Sequence, residues 1–311
     1  MEIREVDVST YKSYLKSTSH VFNSVEFTEL NSDKCDQVFY LLFKSEKVCC
    51  GISVGIRNGN VLSPFSAPFG GFEAIQPDVY VKQLIEATQL LQSWTIQKGF
   101  HSLKITLPPT IYGNDWISKQ VAAFSETRLD VECIDINYHI NTFQSTGQYQ
   151  DSLRRNARKN LNRALASDLF FEKVSSERYE MVYEIIANNR AQRVFPLRLS
   201  FEQIQQTIQV VNASFFLVSH LQTPIASALV FEVSPTIHQV VYWGDLLEFS
   251  QFKPMNFLSF KLFDYFSVQG IHLLDIGPST EHGKLNIGLG DFKESIGCKL
   301  SEKYTFCKKF N

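Results

Sequence analysis

The sequence has little that would hold it together covalently or anchor it. Its six cysteines (Cys35, Cys49, Cys50, Cys133, Cys298 and Cys307) include no Cys-x-x-Cys pair and no regular framework, which argues against both a disulfide scaffold and a zinc site. No uninterrupted apolar run reaches membrane-spanning length. The opening Met-Glu-Ile-Arg-Glu-Val-Asp lacks the apolar core of a signal peptide, so a reducing, cytoplasmic setting is expected. Net charge is only −2, which argues against a general nucleic-acid binder, although local basic patches survive such an average. His101 and His272 stand at the starts of two strand-like runs without neighbouring ligands, and no metal site is expected.

Familiar catalytic loops are also missing. Gly51-Ile52-Ser53-Val54-Gly55 matches the spacing of a nucleophile elbow, but that chemistry needs a sharp strand-to-helix turn. Here the serine lies inside an alternating strand that runs on to Ile56. Gly277 and Gly283-Lys284 stand one residue too far apart for a phosphate loop, and Leu285 occupies the place of the magnesium-binding hydroxyl. Gly288-Leu289-Gly290 lacks the third glycine of a dinucleotide loop.

What is present is apolar bulk and a repeated pattern. With 311 residues, 26 Phe and 12 Tyr, the chain suits two domains with ample cores. Residues 237–278 read as a strand (237–244), a polar loop with Lys253-Pro254, a helix (255–268), a Gly270 stop and a second strand (272–276). The helix carries Phe257, Leu258, Phe260, Leu262, Phe263, Tyr265, Phe266 and Val268 around most of its axis, which predicts burial on most sides. A strand opening through a loop into a buried helix is how α/β folds build ligand sites at helix N-termini.

The same series occurs earlier. Gly99, His101, Leu103 and Ile105 match Gly270, His272, Leu274 and Ile276 at one constant offset, each set following a long apolar helix. Before those helices come strand pairs at 38–44 with 48–56, and at 214–220 with 225–233. An ordered series of elements repeated once predicts a tandem duplication. The expected division is 1–149 and 150–311.

Residues 1–35 read as irregular, with a short helix near 9–16. Residues 61–72 form an apolar strand interrupted by two prolines and paired glycines, so it must bulge or line a surface approached closely by another group. Helix 116–124 and strand 130–140 complete the first half. Residues 150–165, Gln-Asp-Ser-Leu-Arg-Arg-Asn-Ala-Arg-Lys-Asn-Leu-Asn-Arg-Ala-Leu, predict a joining helix. Its basic face (Arg154, Arg155, Arg158, Lys159, Arg163) is either a solvated surface or an anion site for a phosphate-bearing donor or acceptor. Strand 169–174, helix 178–189, a loop with Arg190, Arg193 and Arg198, and helix 201–211 follow. A Gly-rich segment, a helical turn and a final strand close the chain.

These elements resemble a tandem pair of GNAT-type acyltransferase domains, in the arrangement of the FemAB-like branch. The resemblance rests on the basic joining helix, on Lys-Pro-Met-Asn-Phe-Leu-Ser-Phe through Leu-Leu-Asp-Ile-Gly-Pro-Ser, and on the terminal Leu-Asn-Ile-Gly-Leu-Gly-Asp-Phe-Lys-Glu-Ser-Ile-Gly-Cys. It implies an α/β fold of mixed, largely antiparallel sheets flanked by helices. It also implies acyl transfer from an activated donor to an amine on a small molecule, amino acid or cell-envelope precursor. The donor would be acyl-CoA as co-substrate, with no tightly bound cofactor. Aminoacyl-tRNA is the less supported donor, since no long heptad arm is present. A catalytically silent binding protein is the alternative.

The resemblance places the donor's pyrophosphate at the start of the second long helix, on Phe252, Lys253, Met255 and Asn256. Pro254 stands there in place of a glycine and removes a donor. Lys293 of the Phe-Lys pair would stabilise charge on the acyl oxygen. Asp245 and Tyr242, on the strand leading into the polar loop, are either structural residues of the strand or the base and acid. Arg190, Arg193 and Arg198 would meet the acceptor, and His282 and Lys284 would close over the site.

Overall fold

Alternating apolar residues build the sheets, and polar turns set their order. In the computed structural model, which describes residues 1–281 and 283–310, the first half of the chain opens with strand β1 (Glu2–Val6). Short helices Val8–Tyr14 and Val25–Leu30 come next, followed by β2 (Gln37–Lys44), β3 (Val48–Arg57) and β4 (Asn60–Ser63). Helix α1 (Val81–Gln97), β5 (Ser102–Thr106), α2 (Asn114–Glu126) and β6 (Asp130–Asn141) complete the series. Helices α3 (Thr146–Ser152) and α4 (Arg155–Leu165) join the halves.

The second half repeats the plan. It contains β7 (Leu169–Lys173), α5 (Tyr179–Gln192), α6 (Phe201–Thr207), β8 (Ala213–His220), β9 (Thr223–Ser234) and β10 (Ile237–Asp245). Helix α7 (Pro254–Val268), β11 (Leu273–Pro278), α8 (Ile287–Ser295) and β12 (Lys299–Lys309) follow.

Pairing repeats as well. β1, β2, β3 and β4 are antiparallel neighbours, and β4 then runs parallel to β5. β7, β8, β9 and β10 are antiparallel neighbours, and β10 then runs parallel to β11. Within each half the strands are therefore antiparallel except for one parallel pair. The duplication is seen in element order and in strand direction.

The compact units are Met1–Ile136 with Ser301–Asn311, and Asn137–Leu300. They differ from a simple cut at 149/150 because last strands are exchanged. The end of β6, from Asn137, lies antiparallel to β11 inside the second unit. β12 lies antiparallel to β5 inside the first.

Several local expectations change. Residues 1–35 contain β1, a strand of mainly exposed residues that gives little alternation to read. The joining helix breaks at Leu153 and Arg154, both extended. The break buries Leu153 and lets the Arg154 amide donate to the Ser295 carbonyl at 3.0 Å. Helix α6 stops at Thr207, after a start in which Ser200 and Gln203 cap each other. The interrupted strand ends at Ser63, and residues 64–72 become a strap over the first unit.

Helix α7 begins with Pro254 at its first position, where no amide is needed, behind Lys253 in the left-handed region (φ 56°). Gly270 (φ 73°) and Gly99 (φ 74°) supply the left-handed residues after α7 and α1, a conformation that costs glycine least.

Candidate active site

In the second unit the parallel strands part. β10 and β11 pair only through Ile237–Leu273, His238–Leu274 and Gln239–Asp275, although β10 continues to Asp245 and β11 to Pro278. Tyr242, Trp243 and Asp245 lie on β10 beyond the last pair, and Gly277 and Pro278 lie on β11.

Lys293 of α8 closes this end. Its side chain is 2% exposed. Its ammonium donates to the carbonyls of Gly277 and Pro278, both at 2.9 Å, and sits 5.4 Å from the centre of the Tyr138 ring. Burial pulls its pKa down to about 8, with Cys298 and Asp275 favouring the charge and Arg190 opposing it. Two of its three N–H groups are committed to backbone. The neighbouring Phe292 meets Trp243 edge to face, with ring centres 6.2 Å apart.

Asp275 lies beneath it, fully buried. Its carboxylate accepts from Asn137 Nδ2 (2.8 Å), Gln239 Nε2 (2.8 Å) and the Gly277 amide (2.9 Å). Ser279 is also buried, and its hydroxyl has no hydrogen-bond partner among the described residues. Gly290 keeps the space beside Tyr138 open, since a Cβ there would stand 3.0 Å from the Tyr138 hydroxyl.

A second cluster forms where α5 ends. Asn189 Nδ2 donates to the Asp245 carboxylate at 3.1 Å and to its carbonyl at 2.7 Å, and Arg193 pairs with the carboxylate at 3.4 Å. Burial pushes the Asp245 carboxyl up, while Arg193 and Asn189 pull it back. The Tyr242 hydroxyl accepts from the Arg198 amide at 3.2 Å. The Arg190 guanidinium lies 5.1 Å from the Tyr242 ring centre and donates weakly to the Pro196 carbonyl (3.4 Å). Burial pushes Tyr242 up and Arg190 down.

The expected site residues therefore fall into three groups. Asp245, Tyr242, Arg190, Arg193 and Arg198 come together at the open end of β10. Lys293, on α8, holds the Gly277 and Pro278 carbonyls of β11 and is close enough for Arg190 to disfavour its charge. Phe252, Lys253, Met255 and Asn256 form the entry to α7, where Phe252 stacks on His220 at 4.0 Å. Their backbone is largely committed: the amides of Asn256 and Phe257 donate to the Lys253 carbonyl at 3.1 and 3.3 Å, and Pro254 has none. Lys284 is exposed on a short hairpin, and His282 lies outside the described residues. Sequence reasoning missed Asn137, Tyr138, Gln239, Asp275 and Ser279. Asp275 carried a signal, as a charge inside an otherwise apolar strand.

Neither a family model nor a curated protein sequence matches the chain. Solved structures do match it. The structure of FemX aligns with TM-score 0.70 at 14% identity, covering 100% of this chain and 98% of FemX. L-PGS from Bacillus licheniformis aligns at 0.60 and 14% identity, over 99% of this chain and 94% of that one. A tandem GNAT protein from the clavulanic acid biosynthesis pathway aligns at 0.55 and 8% identity, over 99% and 98%. At such identities the shared property is the fold alone: the chain has the fold of FemX and of the tandem GNAT protein. Among the described residues, no helix is long and apolar enough to cross a membrane.

Proposed function

We propose that the protein transfers an acyl or aminoacyl group from an activated donor to an amine, at the gap between β10 and β11. The observation that carries this reading is Lys293, a buried ammonium held by two carbonyls where the strands part. Its remaining N–H is available to a carbonyl oxygen entering the gap. As the amine nitrogen attacks the acyl carbon, negative charge grows on that oxygen, and a fixed cation in a dry site stabilises it. Collapse reforms the carbonyl and expels the donor's thiolate or alkoxide, which takes up the proton lost by the amine. Asp245, whose carboxyl burial has pushed up, is the candidate base, and Tyr242 the candidate acid. Arg190, Arg193 and Arg198 would hold the acceptor.

Acyl-CoA remains the leading donor, with Lys253 and the Met255 amide as its anion contacts at α7. Aminoacyl-tRNA is the other donor. A catalytically silent binding protein is the second reading, favoured by the committed amides at Asn256 and Phe257. A thermal-shift panel of CoA, acyl-CoAs and aminoacyl-tRNA separates these readings, because a ligand that binds the folded state alone raises its stability. Stabilisation by one acylated donor, followed by transfer that Lys293→Met abolishes, is the expected result. Binding with no loss of transfer in Lys293→Met would remove the lysine from the mechanism.

A further inference from the structure

We infer that Asp275 is a positioning residue for Lys293, acting through the backbone turn whose two carbonyls hold the ammonium. This rests on the reading of Lys293 as the group that meets the acyl oxygen. The carboxylate is 0% exposed, in the middle of a strand whose neighbours Leu274 and Ile276 are core residues. Such a group is costly to bury unless it is fully used. One oxygen accepts from both Asn137 Nδ2 and the Gly277 amide, and the other accepts from Gln239 Nε2.

The bond to Gly277 spans only two residues, and it falls where the pairing of β11 with β6 slips between Asp275 and Gly277. Gly277 is there at φ 76°. Just past the bulge, where pairing with β6 resumes at Gly277–Tyr138 and Pro278–Asn137, the carbonyls of Gly277 and Pro278 accept from Lys293 Nζ. Carboxylate, amide, bulge and ammonium thus form one chain of contacts.

The first unit supplies a comparison. At the position equivalent to Asp275 stands Lys104, half exposed and ion-paired with Glu132. At the position equivalent to Gly277 stands Thr106, whose carbonyl accepts from the Gly70 amide at 2.8 Å. Where the acid is replaced, no ammonium among the described residues is held at that carbonyl.

Groups facing Lys293 come from four elements: Asp275 on β11, Tyr138 on β6, Arg190 on α5, and Cys298 after α8. Asp275 and Cys298 favour its charge, and Arg190 disfavours it.

The test is titration of the Lys293 Cε resonance in the full chain carrying 13C-labelled lysine, with the signal assigned by its loss in Lys293→Met. The wild-type midpoint is expected near 8. Asp275→Asn keeps the side-chain shape, and the Gln239 amide can turn to present its oxygen. With the fold intact by circular dichroism, its midpoint is expected to move to lower pH. Gly277→Ala leaves every charge in place and disturbs only the turn. It should move the midpoint the same way, and it decides the matter if Asp275→Asn does not fold. A midpoint unchanged in both variants, or unchanged in Gly277→Ala alone when Asp275→Asn does not fold, overturns the proposal. Transfer that survives in Lys293→Met would instead sink the assigned chemistry and leave the titration result standing.

Discussion

The two units carry the same strands in the same directions, yet they treat the end of the parallel pair in opposite ways. In the first unit the gap beyond Ser63 and Ile105 is filled. The Gly70 amide continues the ladder to Thr106, the Gly71 amide donates to Ser63 Oγ at 3.1 Å, and the Phe72 amide donates to Gln120 Oε1 at 2.8 Å. Phe69 and Phe72 are buried beneath this strap. Glu73 anchors its end, accepting from Ser19 Oγ at 2.6 Å and Asn23 Nδ2 at 2.8 Å. In the second unit β10 runs straight on to Asp245, and the equivalent carbonyl is met by a lysine instead. On the proposed function, a duplicated fold keeps one copy as scaffold and the other as a site. What separates them is one inserted apolar segment.

The largest effect expected from breaking this comparison is at the pair of equivalent positions. Asp275→Ala orphans buried amide donors and should cost about 4 kcal/mol in urea unfolding. Lys104→Ala breaks only a surface ion pair and should cost less than about 1 kcal/mol. Similar losses would mean that the two strands are energetically alike.

Removing the strap's packing comes next. Phe69 touches His20, Phe22 and Tyr112, with ring centres 4.8, 5.1 and 4.8 Å away. Phe69→Ala should destabilise by about 3 kcal/mol, read as a lower melting temperature.

The pH dependence of the second unit follows from Lys293. Its folded pKa, about 8, lies below the ordinary lysine value of 10.5. Between those values the unfolded chain keeps a proton that the folded chain has released, so stability rises with pH across that window. The lysine's cost is complete below about 8 and relieved above 10.5. Wild type should therefore gain roughly 2 to 3 kcal/mol relative to Lys293→Met across the window. A pH-independent difference would place the ammonium in water.

The smallest effect concerns a helix end. Gly99 and Gly270 end α1 and α7, whereas α5 is followed by Val194 at φ 57° with its side chain 90% exposed. The Phe195 amide closes back to the Arg190 carbonyl at 2.9 Å, as such caps require. Val194→Gly should stabilise the protein by about 1 kcal/mol in urea unfolding, since a branched residue is strained there.

Much of the fold was legible because its signals are local. The matched Gly-x-His series exposed the duplication, and alternation in 38–44 and 225–233 marked the hairpins. β1 was not legible, since Glu2-Ile3-Arg4-Glu5-Val6 shows little alternation and its pairing with β2 is non-local. The exchange of β6 and β12 was hidden for the same reason: which strand pairs with which depends on contacts far apart in the chain. Prolines and paired glycines announced that 61–72 must bulge or line a closely approached surface, but not that it would fill a gap. Lys293 came from resemblance alone. Asp275 stood in plain view as an acid within Leu-Leu-Asp-Ile, and only the pairing of Gln239 with Asp275 gives it meaning.

Residue-resolved hydrogen exchange on the unliganded chain tests the contrast between closed and open strand ends most directly. The Gly70 amide, bonded to Thr106, should exchange only through global or large-scale opening. Amides of residues 240–244 that point away from β9 should exchange many times faster, because β11 no longer pairs with them. Equal protection at the two places would mean that the second gap is closed, and the site assigned to it would not exist.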